Sequence, residues 1–115
     1  MNKPNPLAEQ SVDFSVMTVN YYKWLTKEKN EFVMSKQILK SGTSIGANIH
    51  EANFAVSKAD FITKMQIALK EASETEYWLI VLKKTGYLPD DFHYLEEQCR
   101  SLKRMLISTL NTSKN

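Results

Sequence analysis

The 42-residue stretch from Ser41 to Leu82, SGTSIGANIHEANFAVSKADFITKMQIALKEASETEYWLIVL, confines this chain to helix-on-helix packing. It joins a face of small residues to a continuous apolar heptad through an N-capping signal at Ser57. Apolar residues recurring at alternating steps of three and four line one side of an α-helix, and such a side is buried only against another element. The stretch holds no recognisable arrangement of nucleophile and base, metal ligands or phosphate loop, so it speaks to architecture more than to activity.

The rest of the chain repeats the pattern. Phe14, Met17, Tyr21 and Trp24 share a face between about Ala8 and Lys27, with Asn5-Pro6 or Ser11 able to start that helix. A second helix is predicted from about Glu31 to Val56, where Ser35, Ile38, Gly42, Ile45, Ile49, Ala52 and Val56 alternate without a slip. Ser57-Lys58-Ala59-Asp60 has the S-x-x-D form of a capping box and opens a third helix. Its seam is Phe61, Met65, Ala68, Ala72, Thr75, Leu79 and Leu82, and Lys83, Lys84 and Gly86 supply the C-terminal stop. After a Leu88-Pro89-Asp90-Asp91 turn, Phe92, Leu95, Cys99, Leu102, Leu106 and Thr109 mark a fourth. The expectation is all-α, an antiparallel up-down-up-down four-helix bundle, as one domain over 1–115 with short flexible ends near 1–7 and 112–115.

A chain of 115 residues can bury roughly two-thirds of its unfolded surface, enough for a core without staples. Its single cysteine excludes an intrachain disulfide. With no leader-like segment and no run of about 18 apolar residues, a soluble, cytoplasmic protein without membrane contact is expected.

Gly42 and Gly46 lie one turn apart beside Ser41, Ser44 and Ala47, so a second backbone can come close to this face. Each glycine costs roughly 1 kcal/mol of helix propensity against alanine, a cost that points to tight packing. Asn48, one position from the seam, is expected to hydrogen-bond across helices and fix register. The third helix is more apolar than one seam needs. Thirteen of the 22 residues from Phe61 to Leu82 are apolar, and Ile62, Leu69, Tyr77, Trp78 and Val81 are the candidates for contact with another subunit.

Candidate chemistry is sparse. Glu51, Glu71 and Glu74 could converge, but a ferritin-like dinuclear site needs two Glu-x-x-His motifs and the chain has none, so neither metal nor cofactor is expected. His50 and His93 have no orienting acid or nucleophile at a suggestive spacing, and Cys99 reads as a small buried hydrophobe. No catalytic residue is assigned. Trp24, Trp78, Tyr21, Tyr22 and Tyr77 can in principle stack on bases, but at helical spacing beside Leu and Ile they read as core or interface.

Charge distribution is the best functional lead. The formal net charge is only +2, too mild by itself to mark a nucleic-acid binder. Yet Arg100, Lys103 and Arg104 share a helix face in a segment from Cys99 onward that has no acidic residue. Lys83 and Lys84 end the third helix, and Lys36 and Lys40 share a face of the second. These seven are the candidate nucleic-acid contacts, against the plain alternative of a solvated face.

Thr43-Ser44-Ile45-Gly46-Ala47-Asn48-Ile49-x-Glu51-Ala52, Ser57-Lys58-x-Asp60-Phe61 and Ile67-Ala68-Leu69-Lys70-Glu71-Ala72-x-Glu74-Thr75-Glu76-Tyr77-Trp78-Leu79 closely resemble the bacterial four-helix-bundle proteins encoded in intervening sequences of 23S ribosomal RNA genes, the S23 ribosomal protein family. The resemblance covers nearly the whole chain. At the level of fold it extends to the accessory variability proteins of diversity-generating retroelements. What it implies is a homopentameric ring with a basic surface that engages RNA and, in the retroelement members, a reverse transcriptase; no catalytic residue comes with it. The chain therefore reads as a non-enzymatic oligomer that binds or scaffolds structured RNA. The alternative is a protein-interaction scaffold, with an unknown partner and no nucleic acid.

Overall fold

In a computed structural model, which describes residues 5–114, four helices follow one another: α1 Pro6–Lys27, α2 Met34–Ala52, α3 Lys58–Lys84 and α4 Tyr94–Lys114, with one 3-10 turn at Asp90–Phe92 before the last. α1 packs on α2, α2 on α3, α3 on α4 and α4 back on α1, in a bundle 44 × 25 × 21 Å. Cross-helix partners run in opposite order on neighbouring helices, which makes each pair antiparallel. Glu51 meets Lys64 and Ser41 meets Thr75 between α2 and α3, while Glu76 meets Lys103 and Lys83 meets Glu96 between α3 and α4.

Local chemistry sets the helix ends. The Asn5 side chain accepts from the Ala8 amide and Pro6 occupies the first turn, where its missing N–H is no loss. α2 has no side-chain cap at Val33; instead the Glu31 carboxylate accepts from the amides of Val33, Met34 and Ser35. Glu31 is thus the cap of this helix and not its first residue. Ser57 caps α3 through the Asp60 amide, and Asp60 reaches back to the Val56 amide. α3 stops where Gly86 takes φ +85°, with Tyr87 N–H donating to Leu82 and Gly86 N–H to Lys83, a pair of bonds that needs a left-handed residue at that point.

Three expectations are corrected. α2 ends at Ala52 and Val56 is 93% exposed, because the chain must reverse over residues 53–57 before Ser57 can cap the next helix. The last inward residue of α4 is Leu110 and not Thr109, since a helix of about 3.6 residues per turn drifts against a strict heptad. The ends are helical over 6–7 and 112–114, with Leu7 buried in the core; residues 1–4 and 115 of the expected flexible ends lie outside the described residues.

The core is formed by the seams: Phe14, Tyr21 and Leu25, Ile38, Ile45 and Ile49, Met65, Leu79 and Leu82, and Leu95, Leu102 and Leu106. Each fully buried aliphatic side chain stabilises by about 1.5–3 kcal/mol relative to exposure. Ser11 and Thr18 are buried with them, their hydroxyls donating to Ala8 and Phe14 carbonyls of their own helix. They face the glycines. A Cβ on Gly42 would come within 2.8 Å of Thr18 Cγ2, and one on Gly46 within 3.2 Å of the Ser11 carbonyl oxygen. The small-residue face is therefore the α1–α2 contact. Asn48 does not bridge helices: its amide donates to the Ser44 carbonyl one turn back, a satisfied bond within α2.

Candidate nucleic-acid interface

The seven cations picked out from the sequence separate into two environments. On α4, Arg100 lies 3.2 Å and Arg104 3.9 Å from the two oxygens of Glu97, and Lys103 lies 2.8 Å from Glu76 of α3. Lys83 is 3.2 Å from Glu96. Lys103–Glu76 and Lys83–Glu96 join charged positions that flank the α3–α4 seam and face each other, whereas Glu97 pairs with both arginines along α4 itself. Exposed pairs contribute only about 0–1 kcal/mol each, but their carboxylates cancel most of the local field that a phosphate would meet. The basic trio that had no acidic residue within its own segment acquires one from the preceding turn and one from the neighbouring helix. A cleft of about 220 Å³ between Glu76, Arg100, Lys103, Arg104 and Ile107 shares that mixed charge.

Lys36, Lys40 and Lys84 are exposed and make no ion pair among the described residues. The first two lie within about 9 Å of the start of α2 along its axis. Antiparallel packing brings the end of α1 beside them, with Lys23, Lys27 and Lys29, three lysines that sequence reasoning did not single out. None of these is ion-paired among the described residues either. Lys29 sits over the Trp24 ring, 5.4 Å from its centroid, an arrangement that holds the ammonium in place by its attraction to the π face. The signal was available: from Lys23 to Lys40 there are five lysines and two glutamates, and Glu31 is turned onto backbone amides.

The apolar residues expected at a subunit contact also divide. Ile62, Leu69 and Trp78 are partly buried and pack against the chain's own core, so the excess on α3 is smaller than its composition implied. Trp78 donates to Glu74 and meets Tyr77 edge-on at 5.1 Å. Val81 is half-buried, and Tyr77 remains 57% exposed, near the exposed Ile80. On α1, Val12 and Val16 form a second exposed apolar strip.

The groups weighed for catalysis are placed elsewhere. Burial first, and Glu76 second, push the Cys99 thiol up to about 12, and it donates to the Ala72 carbonyl. Burial and then Glu31 hold the Tyr21 phenol well above its ordinary range, while its hydroxyl donates to Tyr87 and ties α1 to the α3–α4 connection. Glu51 is paired with Lys64. Among the described residues, no group of three or more His, Cys, Asp or Glu side chains is placed to hold a metal ion, and no helix is long and apolar enough to cross a membrane. A cleft of about 320 Å³ at the opposite end, lined by Leu7, Phe61, Met65 and Met105 among others, contains no titratable side chain.

Fold and surface together define a small four-helix bundle whose distinguishing features are charged and apolar outer faces. Residues 5–108 match the 23S rRNA-intervening sequence protein family, and the chain belongs to that family. It is 51% identical to a Bacteroides thetaiotaomicron protein of unknown function from the S23 ribosomal protein family, solved as a crystal structure. That match covers 91% of this chain and 95% of the other, with a TM-score of 0.88. No curated protein matches.

Proposed function

We propose that this protein is a non-enzymatic, self-associating helical bundle that binds structured RNA through phosphate contacts from the α1–α2 hairpin tip. The observation that carries this reading is the set of five lysines there, Lys23, Lys27, Lys29, Lys36 and Lys40, none in an ion pair among the described residues. Uncompensated lysines attract a polyphosphate chain and release its counterions, and contacts of this kind need no base-specific geometry. Self-association uses the region of α3 around the exposed Tyr77 and the half-buried Val81. A homopentameric ring, the assembly that the family resemblance implies, multiplies the tips and so raises avidity without new contacts.

A second reading, a scaffold for another protein, is favoured by the exposed Val12 and Val16 strip, which the RNA reading does not use. Fluorescence anisotropy separates the two. Purified protein is titrated with a ribosomal RNA hairpin and a length-matched DNA duplex at low and near-physiological salt, with mass in solution measured by light scattering. Salt-sensitive RNA binding by an oligomer is the expected result. An oligomer that binds neither nucleic acid would replace this reading with the protein scaffold.

A further inference from the structure

The α1–α2 connection carries more than charge. Phe32 is 53% exposed and Val33 72% exposed, between Lys29 and Lys36. A loop with exposed apolar residues is often a frayed one, but this one is fastened on both sides. Asn30 takes the left-handed conformation at φ 52°, the Glu31 amide donates to the Leu25 carbonyl of α1, and the Glu31 carboxylate binds three amides at the start of α2. Ser35 Oγ donates back to the Glu31 carbonyl. The aromatic ring of Phe32 is therefore presented by a fixed backbone, with lysines before and after it.

An exposed aromatic ring among phosphate-binding cations suits one ligand above others: a nucleotide whose base is unpaired. Duplex RNA hides its base faces in the stack, whereas loops, bulges and single strands offer them to aromatic side chains. Two apolar side chains are too few to form the apolar helix face by which basic segments lie in a lipid surface. The geometry points to the hairpin tip as a site for unpaired RNA, with Phe32 stacking on one base while Lys29 and Lys36 hold the adjoining phosphates. This inference rests on the RNA reading above and narrows it from structured RNA as a whole to the unpaired segments within it.

The test compares wild type with Phe32→Ala and Phe32→Trp, both tolerable because the ring is exposed. Anisotropy is read with a single-stranded RNA and a blunt-ended RNA duplex of equal length, and co-sedimentation with phosphatidylglycerol vesicles. Wild type is expected to prefer the single strand; Phe32→Ala should lose about tenfold on it, keep its duplex affinity and salt slope, and be restored by Phe32→Trp. Equal binding of both RNAs, or an Ala variant indistinguishable from wild type, overturns the stacking site and leaves the RNA reading standing. No binding to any RNA overturns both. Vesicle binding that needs Phe32, with RNA binding that does not, assigns the tip to an anionic membrane and overturns the inference.

Discussion

Across the α3–α4 groove, Lys83 and Lys103 reach over to Glu96 and Glu76; across the α1–α2 contact, the facing residues are Ser11, Thr18, Gly42 and Gly46. Both hairpins carry exposed cations, yet only one uses them to bind its own helices together. Where helices are spaced by ordinary side chains, charged residues flanking the seam meet across it and neutralise each other. Where glycines draw the backbones close, no room remains for such pairs, and the lysines of α1 and α2 stay on the outer surface. The same residue type is a register device in one hairpin and an available charge in the other.

The most direct way to break this contrast is charge reversal in each hairpin separately. Lys36→Glu with Lys40→Glu should weaken RNA binding at low salt by about 100-fold, because two attractive contacts become repulsive. Arg100→Glu with Arg104→Glu should weaken it by less than about tenfold, since Glu97 already offsets that pair. Comparable losses measured by anisotropy would show that ion pairing does not sort the two faces.

The close approach can be sharpened by crowding it. Gly42→Ala gains about 1 kcal/mol of helix propensity but places a Cβ against Thr18, whose hydroxyl is tied to Phe14, at an overpacking cost of about 1–3 kcal/mol. Urea denaturation should show a net loss of up to about 2 kcal/mol, and Thr18→Ala in the same chain should couple favourably by about 0.5 kcal/mol or more. Gly42→Ala that stabilises would mean the helices are not in close contact there.

The smallest expected effect concerns the thiol under the α3–α4 seam. Its folded value of about 12 lies above the ordinary value of 9.0, so the folded state holds the proton that the unfolded state releases. The contribution of this group to stability is therefore complete below about pH 9 and is lost as pH rises towards 12. Cys99→Ala should flatten the decline of the urea midpoint over that window. Rapid alkylation of the native protein at neutral pH would contradict the burial.

Much of the fold was legible because heptad spacing is local. The seam of α2 from Ser35 to Ala52, that of α3, the Ser57 cap and the Gly86 stop all lie where the sequence pattern put them. The misplaced points are those where a neighbour decides. Val56 continues the numerical pattern of α2 but lies beyond the turn, and Asn48 finds its acceptor within its own helix. Trp78 and Leu69, which looked surplus on α3, are partly buried against the core. Among the candidate cations, Lys36 and Lys40 make no ion pair among the described residues, while Arg100 and Arg104 meet Glu97 within one or two turns of their own helix and Lys103 meets Glu76, a partner that sequence proximity did not reveal.

What the chain determines by itself is which residues face inward and where each helix begins and ends, because these follow from periodicity and from hydrogen bonds spanning three to six residues. What only the tertiary structure decides is the partner of each surface charge and the identity of the helix facing the glycines. Glu76 and Lys103 are 27 residues apart and Thr18 and Gly42 belong to different helices, so their encounter depends on how the helices are ordered around the core and how closely their backbones approach.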